Sequence, residues 1–167
     1  MKSFLLSTLL PELDLRDEVA FARAHPHPWL LREPTAWHAT HPDGNQTLLM
    51  PATVAAPLEG SALAIALEPV VRDATQITLG RSPSCDLQIE EGTVSQVHLV
   101  FRQAGADGWT VEDSGSTNGS WLDGVRLEKA VPHRLAEGAR LQTAQVLFTF
   151  ASSSGLWRRL EAEALRH

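Results

Sequence analysis

Cysteine is almost absent from this chain of 167 residues, and so are long runs of positive charge or of apolar side chains. The single cysteine, Cys85, excludes an internal disulfide, and no Cys pair with metal-type spacing exists, so a reducing compartment is the expected home. Lysine and arginine total 14 against 20 aspartates and glutamates, a formal net charge of −6, and no basic run is longer than Arg158-Arg159. Such a balance disfavours a nucleic-acid partner, because its field repels a phosphate backbone at long range. Nothing approaches the roughly 20 apolar residues of a membrane-spanning helix. The apolar run over residues 4–10 follows Lys2 as a secretion signal does. It stops at Pro11, however, and meets Glu12 and Asp14 where a small-residue cleavage pattern belongs, so it is read as a packing segment. A soluble, cytoplasmic protein with no membrane partner is expected.

Catalytic patterns are equally scarce. The nucleophile-elbow spacing Gly-x-Ser-x-Gly does not occur, and the glycine-bounded stretch Gly115-Ser116-Thr117-Asn118-Gly119 lacks the lysine of a nucleotide P-loop. A hydrolase triad of Ser95, His98 and Asp113 is the enzyme alternative, on residues that fall at a loop-to-strand junction. The metal alternative is His25 and His27 with His38 and His41. Pro26 prevents regular presentation of the first pair, and no cysteine or nearby carboxylate completes the set. No catalytic residue, cofactor or metal is assigned.

The length fits one domain with appendages and is enough to bury a core. Asp14 can cap a short helix reaching about His25, with Leu15, Val19 and Ala22 on one face and Pro26 ending it. Residues 36–40 and 46–50 read as strands of a hairpin around His41-Pro42-Asp43-Gly44-Asn45. Residues 51–61, rich in Ala, Pro and Gly, mark a boundary. The expected division is residues 1–60 as a helix and hairpin extension packing on the core, 61–150 as a β-sandwich, and 151–167 as a C-terminal helix.

From residue 62 to 150 the texture is short apolar runs broken at regular intervals by turn residues, as in a sandwich. Strands are expected at 62–67, 76–79, 87–89, 98–102, 109–112, 120–122, 126–127, 133–135, 140–142 and 145–150. Alternation at Leu99 and Phe101, and again over 147–150, puts large side chains on one face, and burying each contributes about 1.5–3 kcal/mol. Beyond the sandwich, Ser152-Ser153-Ser154 offers helix caps, and Leu156, Leu160 and Ala164 recur at helical spacing beside Trp157.

The most informative segment runs from Asp113 to Gly124. Hydroxyl and amide side chains cluster there between glycines, after one strand-like run and before another, and can hold a phosphate-sized anion together with backbone N–H groups. No base or nucleophile is arranged to attack such a group. Upstream lie Gly80-Arg81 and Ser95-Gln96-Val97-His98, so Arg81, Ser95 and Thr117 supply the guanidinium and hydroxyl donors that a phosphate group requires.

These three elements, in this order over residues 61–150, resemble a forkhead-associated (FHA) domain, a family of phosphothreonine-reading sandwiches. The resemblance implies an all-β, FHA-like sandwich and a non-catalytic adaptor that docks onto threonine-phosphorylated protein, in a setting of Ser/Thr kinase signalling. It implies Arg81 and Ser95 on the phosphate, Thr117 at the pocket wall, Asn118 on the ligand backbone and Gln96 within reach of ligand. His98 is expected to be structural, buried and hydrogen-bonded, and Gly80 and Gly119 to serve the loop backbone. Two positions depart from the family pattern. Gln96 stands where an arginine often follows the motif serine, and Asp123 stands where the Asn-Gly turn has its asparagine. The alternative is a sandwich that binds protein without phosphate or serves as a structural module. Gln96 and the acidic balance favour it; the set Arg81, Ser95, Thr117 and Asn118 favours phosphothreonine.

Overall fold

A computed structural model describes residues 3–6, 17–33, 62–69, 71, 74–106 and 108–165. Short strands dominate: β1 (Ser3–Leu5), β2 (Trp29–Arg32), β3 (Leu63–Ala66), β4 (Ile77–Gly80), β5 (Leu87–Gln88), β6 (Leu99–Ala104), β7 (Gly108–Asp113), β8 (Ser120–Leu122), β9 (Val125–Arg126), β10 (His133–Leu135), β11 (Arg140–Thr143) and β12 (Val146–Ala151). Two helices accompany them, α1 (Glu18–Ala24) and α2 (Ser153–Ala164). The strands form a seven-stranded sheet, ordered β1-β3-β2-β12-β11-β8-β9, and a five-stranded sheet, ordered β10-β7-β6-β4-β5. This is the all-β sandwich that the spacing of turn residues implies, and each strand expected after residue 62 is present.

The core forms where the alternating faces of the two sheets meet. Leu99 and Phe101 of β6, Val111 of β7, Leu141 of β11 and Phe148 of β12 are all fully enclosed there. The seven-stranded sheet also buries much of its outer face, against the helices. Phe21 of α1 and Leu156, Trp157 and Leu160 of α2 pack on Trp29, Leu31, Ala64 and Ala66. Trp29, Leu30 and Leu31 are therefore buried in succession, because β2 has protein on both sides. β2 is hydrogen-bonded to β3 along one edge and to β12 along the other. Just beyond it, Glu33 receives both terminal nitrogens of Arg159 (3.1 and 3.0 Å), and the Arg159 Nε reaches Glu163 (3.0 Å), tying α2 to the end of β2.

The first helix differs from its expected form. Its cap is Asp17, whose Oδ1 accepts the Ala20 N–H at 2.9 Å, and not Asp14, which lies outside the described residues with Leu15. The inward side chain is Phe21, stacked on His25 and Trp157, while Val19 is 61% exposed. The winning factor is the aromatic cluster, which sets the buried face one residue away from the weak aliphatic stripe. In α2, Ser152 is the cap, with Gly155 N–H donating to its Oγ at 3.0 Å, and Leu156, Trp157 and Leu160 face inward, whereas Ala164 is exposed. The hairpin expected over 36–50 and the boundary expected over 51–61 lie outside the described residues. No helix among the described residues is long and apolar enough to cross a membrane.

What positions the site is the antiparallel register of β4, β6 and β7. Leu79 pairs with Leu99, and Leu99 pairs with Asp113. The end of β4, the start of β6 and the end of β7 therefore lie side by side, and the loops attached to them emerge at one end of the sandwich.

Candidate functional site

The first of these loops leaves β4 at Gly80. A Cβ built on this glycine falls 2.2 Å from the Gln96 carbonyl oxygen, so only glycine lets the second loop close onto the strand. Two backbone bonds seal that closure, Arg81 N–H to Ser95 O (2.9 Å) and Ser82 N–H to Gln96 O (3.0 Å). The Cys85 thiol adds a third, donating to Gln96 O at 3.2 Å. Burial pushes that thiol up from its ordinary pKa, which keeps it protonated and suited to this role.

His98 joins the second loop to the third. It is wholly buried. Its Nδ1 accepts the Ser95 backbone N–H at 3.0 Å, which places the ring proton on Nε2, and Nε2 donates to Gly119 O at 3.0 Å. Burial lowers its pKa, outweighing the Gly119 carbonyl and the nearby Asp113 charge, so the ring is a neutral strut. The hydrolase alternative fails on these bonds. His98 faces the Ser95 amide and not its hydroxyl, and Asp113 sends its carboxylate elsewhere.

Asp113 organises the third loop. Its Oδ1 accepts the N–H groups of Gly115 (2.9 Å) and Ser116 (2.7 Å), and its Oδ2 accepts the hydroxyls of Ser116 (2.7 Å) and Ser120 (2.5 Å). Burial alone raises a carboxyl pKa, but these bonds from Ser120, Ser116 and Gly115 hold Asp113 below the usual carboxylate range. The Ser116 hydroxyl oxygen in turn accepts the Gly119 N–H at 3.0 Å. Gly115 and Gly119 both take φ of +85°, which closes the turn. Thr117 and Asn118 are left exposed at its tip.

The tip returns to the second loop through side chains. Thr117 N–H donates to the Ser95 hydroxyl oxygen at 3.1 Å, and the Asn118 amide nitrogen donates to Thr93 O at 2.7 Å. Arg81 lies along the same loop, its Nε donating to Val94 O at 3.2 Å, with the guanidinium exposed. Neither Asp113 nor Asp86 forms an ion pair with Arg81. Asp113 serves its own loop, and Asp86 accepts the N–H (2.8 Å) and hydroxyl (2.9 Å) of Thr78. Gln96 is exposed, and its carbonyl anchors the first loop. Arg81, Ser95, Gln96, Thr117 and Asn118 thus share one rim, underpinned by Gly80, His98 and Gly119.

Asp123 stands apart from this rim as a turn residue. It takes φ of 50° and Gly124 takes 83°, closing the two-residue turn between β8 and β9. Its Oδ1 accepts the Arg140 N–H at 2.8 Å. Of the histidine set, His25 stacks on Phe21 (4.6 Å between centroids) and His27 approaches Glu68 at 3.4 Å, while His38 and His41 lie outside the described residues. Among the described residues no group of three or more His, Cys, Asp or Glu side chains converges. Sequence reasoning missed the hydroxyl clasp of Ser116 and Ser120 on Asp113. The signal for it was Asp113-x-x-Ser116, the spacing of a side chain that caps its own loop.

The family model described as FHA domain matches residues 77–143. The oxoglutarate dehydrogenase inhibitor of Corynebacterium jeikeium (strain K411) is 31% identical over 117 residues, 66% of this chain and 78% of the inhibitor. The E3 ubiquitin-protein ligase rnf8-B of Xenopus laevis is 34% identical over 74 residues, 42% of this chain. That stretch is only 14% of the ligase, so the similarity is to a small part of it. Among solved structures, the FHA domain of the CT664 protein from Chlamydia trachomatis superposes with a TM-score of 0.50 at 17% identity, covering 75% of this chain and 97% of that one, which is a likeness of fold.

Proposed function

This chain belongs to the forkhead-associated (FHA) domain family, and from that premise we propose that it is a non-catalytic adaptor that docks onto threonine-phosphorylated protein. A phosphothreonine presents about −1.5 to −2 charges and three acceptor oxygens at neutral pH. Arg81 offers its terminal nitrogens, Ser95 the hydrogen of a hydroxyl whose oxygen already accepts from Thr117, and Thr117 its own hydroxyl, so charged and neutral donors converge on one anion. Asn118, with its amide nitrogen held by Thr93, keeps its carbonyl oxygen for a peptide N–H. Gln96 lies on the rim where residues beside the phosphothreonine pass.

The observation that carries this reading is the bond from Thr117 N–H to Ser95 Oγ, because it brings together loops that the sequence separates by 22 residues. The setting we infer is cytoplasmic signalling downstream of a Ser/Thr kinase. The deciding experiment is a phosphothreonine peptide library screened before and after phosphatase treatment. Binding that disappears with the phosphate is the expected result. Binding that survives treatment assigns the chain to the phosphate-independent alternative, for which the neutral Gln96 and the net charge of −6 speak.

A further inference from the structure

A second guanidinium stands at the same rim. Asp123-Gly124 folds β8 and β9 into a tight hairpin in which Trp121 lies directly opposite Arg126. The Arg126 guanidinium rests 5.7 Å from the centroid of the Trp121 ring. On its other flank it meets the third loop: a Cβ built on Gly119 falls 3.3 Å from Arg126 Nη2, 3.4 Å from its Nε and 3.2 Å from Trp121 Cη2. Gly119 follows Thr117 and Asn118, and its φ of +85° already disfavours a side chain, so the space a Cβ needs is taken by this cation. A ring face holds a planar guanidinium in a fixed orientation and leaves its edge nitrogens for a carboxylate. No described carboxylate forms an ion pair with Arg126, although the two other arginines with described ion pairs, Arg102 and Arg159, are matched to Glu112 and to Glu33 and Glu163.

We propose that Arg126, stacked on Trp121 beside Gly119, is a specificity residue that selects an acidic side chain close to the phosphothreonine in the ligand. The inference rests on the phosphopeptide reading above. It follows from where the charge sits: an extended peptide advances about 3.3 Å per residue. A chain anchored by its phosphate at Ser95 and Thr117 therefore passes Arg126 within a few residues. The rim position after the motif serine is the uncharged Gln96, and the protein as a whole is acidic, so a fixed cation here is a local exception to a field that otherwise repels acidic peptides.

The test uses the full chain and phosphothreonine peptides in which Asp or Asn occupies, in turn, each of the three positions on either side. At one position the wild type prefers Asp over Asn by about fivefold, the upper end for an exposed ion pair, and added salt reduces the preference. In Arg126→Gln the ratio falls to about one. Exchange of that Asp for Lys, measured on the unaltered protein, makes the peptide bind more weakly than its Asn counterpart. Equal affinity of Asp and Asn peptides at every position overturns the inference and leaves the phosphopeptide reading standing. A preference that persists in Arg126→Gln overturns it too, as does a variant that weakens Asp and Asn peptides alike. Failure of the wild type to bind any phosphorylated peptide overturns both readings at once.

Discussion

Thr117 donates its backbone N–H to the hydroxyl oxygen of Ser95 across 3.1 Å, and His98 braces the two loops that this bond joins. One ring nitrogen of His98 fixes the Ser95 amide and the other fixes the Gly119 carbonyl, two residues past Thr117. The exposed rim is therefore positioned from below by groups that never meet solvent. Buried struts of this kind make separable predictions about stability and recognition.

Gly80→Ala drives a Cβ into the Gln96 carbonyl, a backbone atom that cannot swing aside. We expect a loss of about 1–3 kcal/mol from overpacking. The same variant shifts Ser95 and weakens phosphopeptide binding. Chemical denaturation alongside a binding titration checks both effects. An unchanged midpoint contradicts the close packing of these loops.

The acid stability of the fold is expected to fall in two steps. His98 has an ordinary value of 6.5, lowered in the folded state. As pH falls through 6.5, the unfolded chain takes up a proton that the native ring resists. The unfolded state then binds more protons, so stability drops with falling pH until the native ring titrates as well. Asp113 has an ordinary value of 3.8, also lowered in the folded state. Its contribution is complete above 3.8 and is lost as pH falls below it toward the native value. Denaturant midpoints measured from neutral pH to about pH 2.5 should show both windows, the lower one close to the unperturbed carboxyl range. Asp113→Asn removes the lower window and costs about 1.5–3 kcal/mol at neutral pH, the scale of a hydrogen bond to a charged group.

Removal of residues 1–33 should abolish stable folding. β2 lies between β3 and β12, and Trp29, Leu30 and Leu31 fill both faces of the sheet. Each of these large side chains is worth about 1.5–3 kcal/mol, a large share of a total near 5–15 kcal/mol. Circular dichroism and limited proteolysis of the truncated chain test the point. A compact, cooperatively unfolding product shows instead that the rest of the sandwich stands alone.

The sandwich between residues 62 and 150 was legible because strands such as β11 and β12 alternate buried and less buried side chains, and turn residues separate the runs. Leu99, Phe101 and Phe148 announce the inner face by their alternation. β2 was not legible, since a strand covered on both sides has no period of two, and its short run Trp-Leu-Leu-Arg follows Pro26 and Pro28. The apolar run that contains part of β1 marks it only as a packing segment. Its pairing is with β3, some sixty residues away, which no local pattern reports. At the rim, the motif residues could be named in advance, because glycine spacing and hydroxyl clusters are local signals. The Asp113 clasp and the Arg126–Trp121 stack were missed. The first depends on the fold of its own loop, and the second on a cross-strand register set by the turn at Asp123.

The most direct test of the central claim is the affinity of Arg81→Ala and of Ser95→Ala for a phosphothreonine peptide bound by the wild type, measured by calorimetry with melting temperatures in parallel. Each variant is expected to lose about 1.5–3 kcal/mol of binding, the scale of a hydrogen bond to a charged group, while the fold melts as before. Wild-type affinity in both variants contradicts the assignment of the phosphate to this rim.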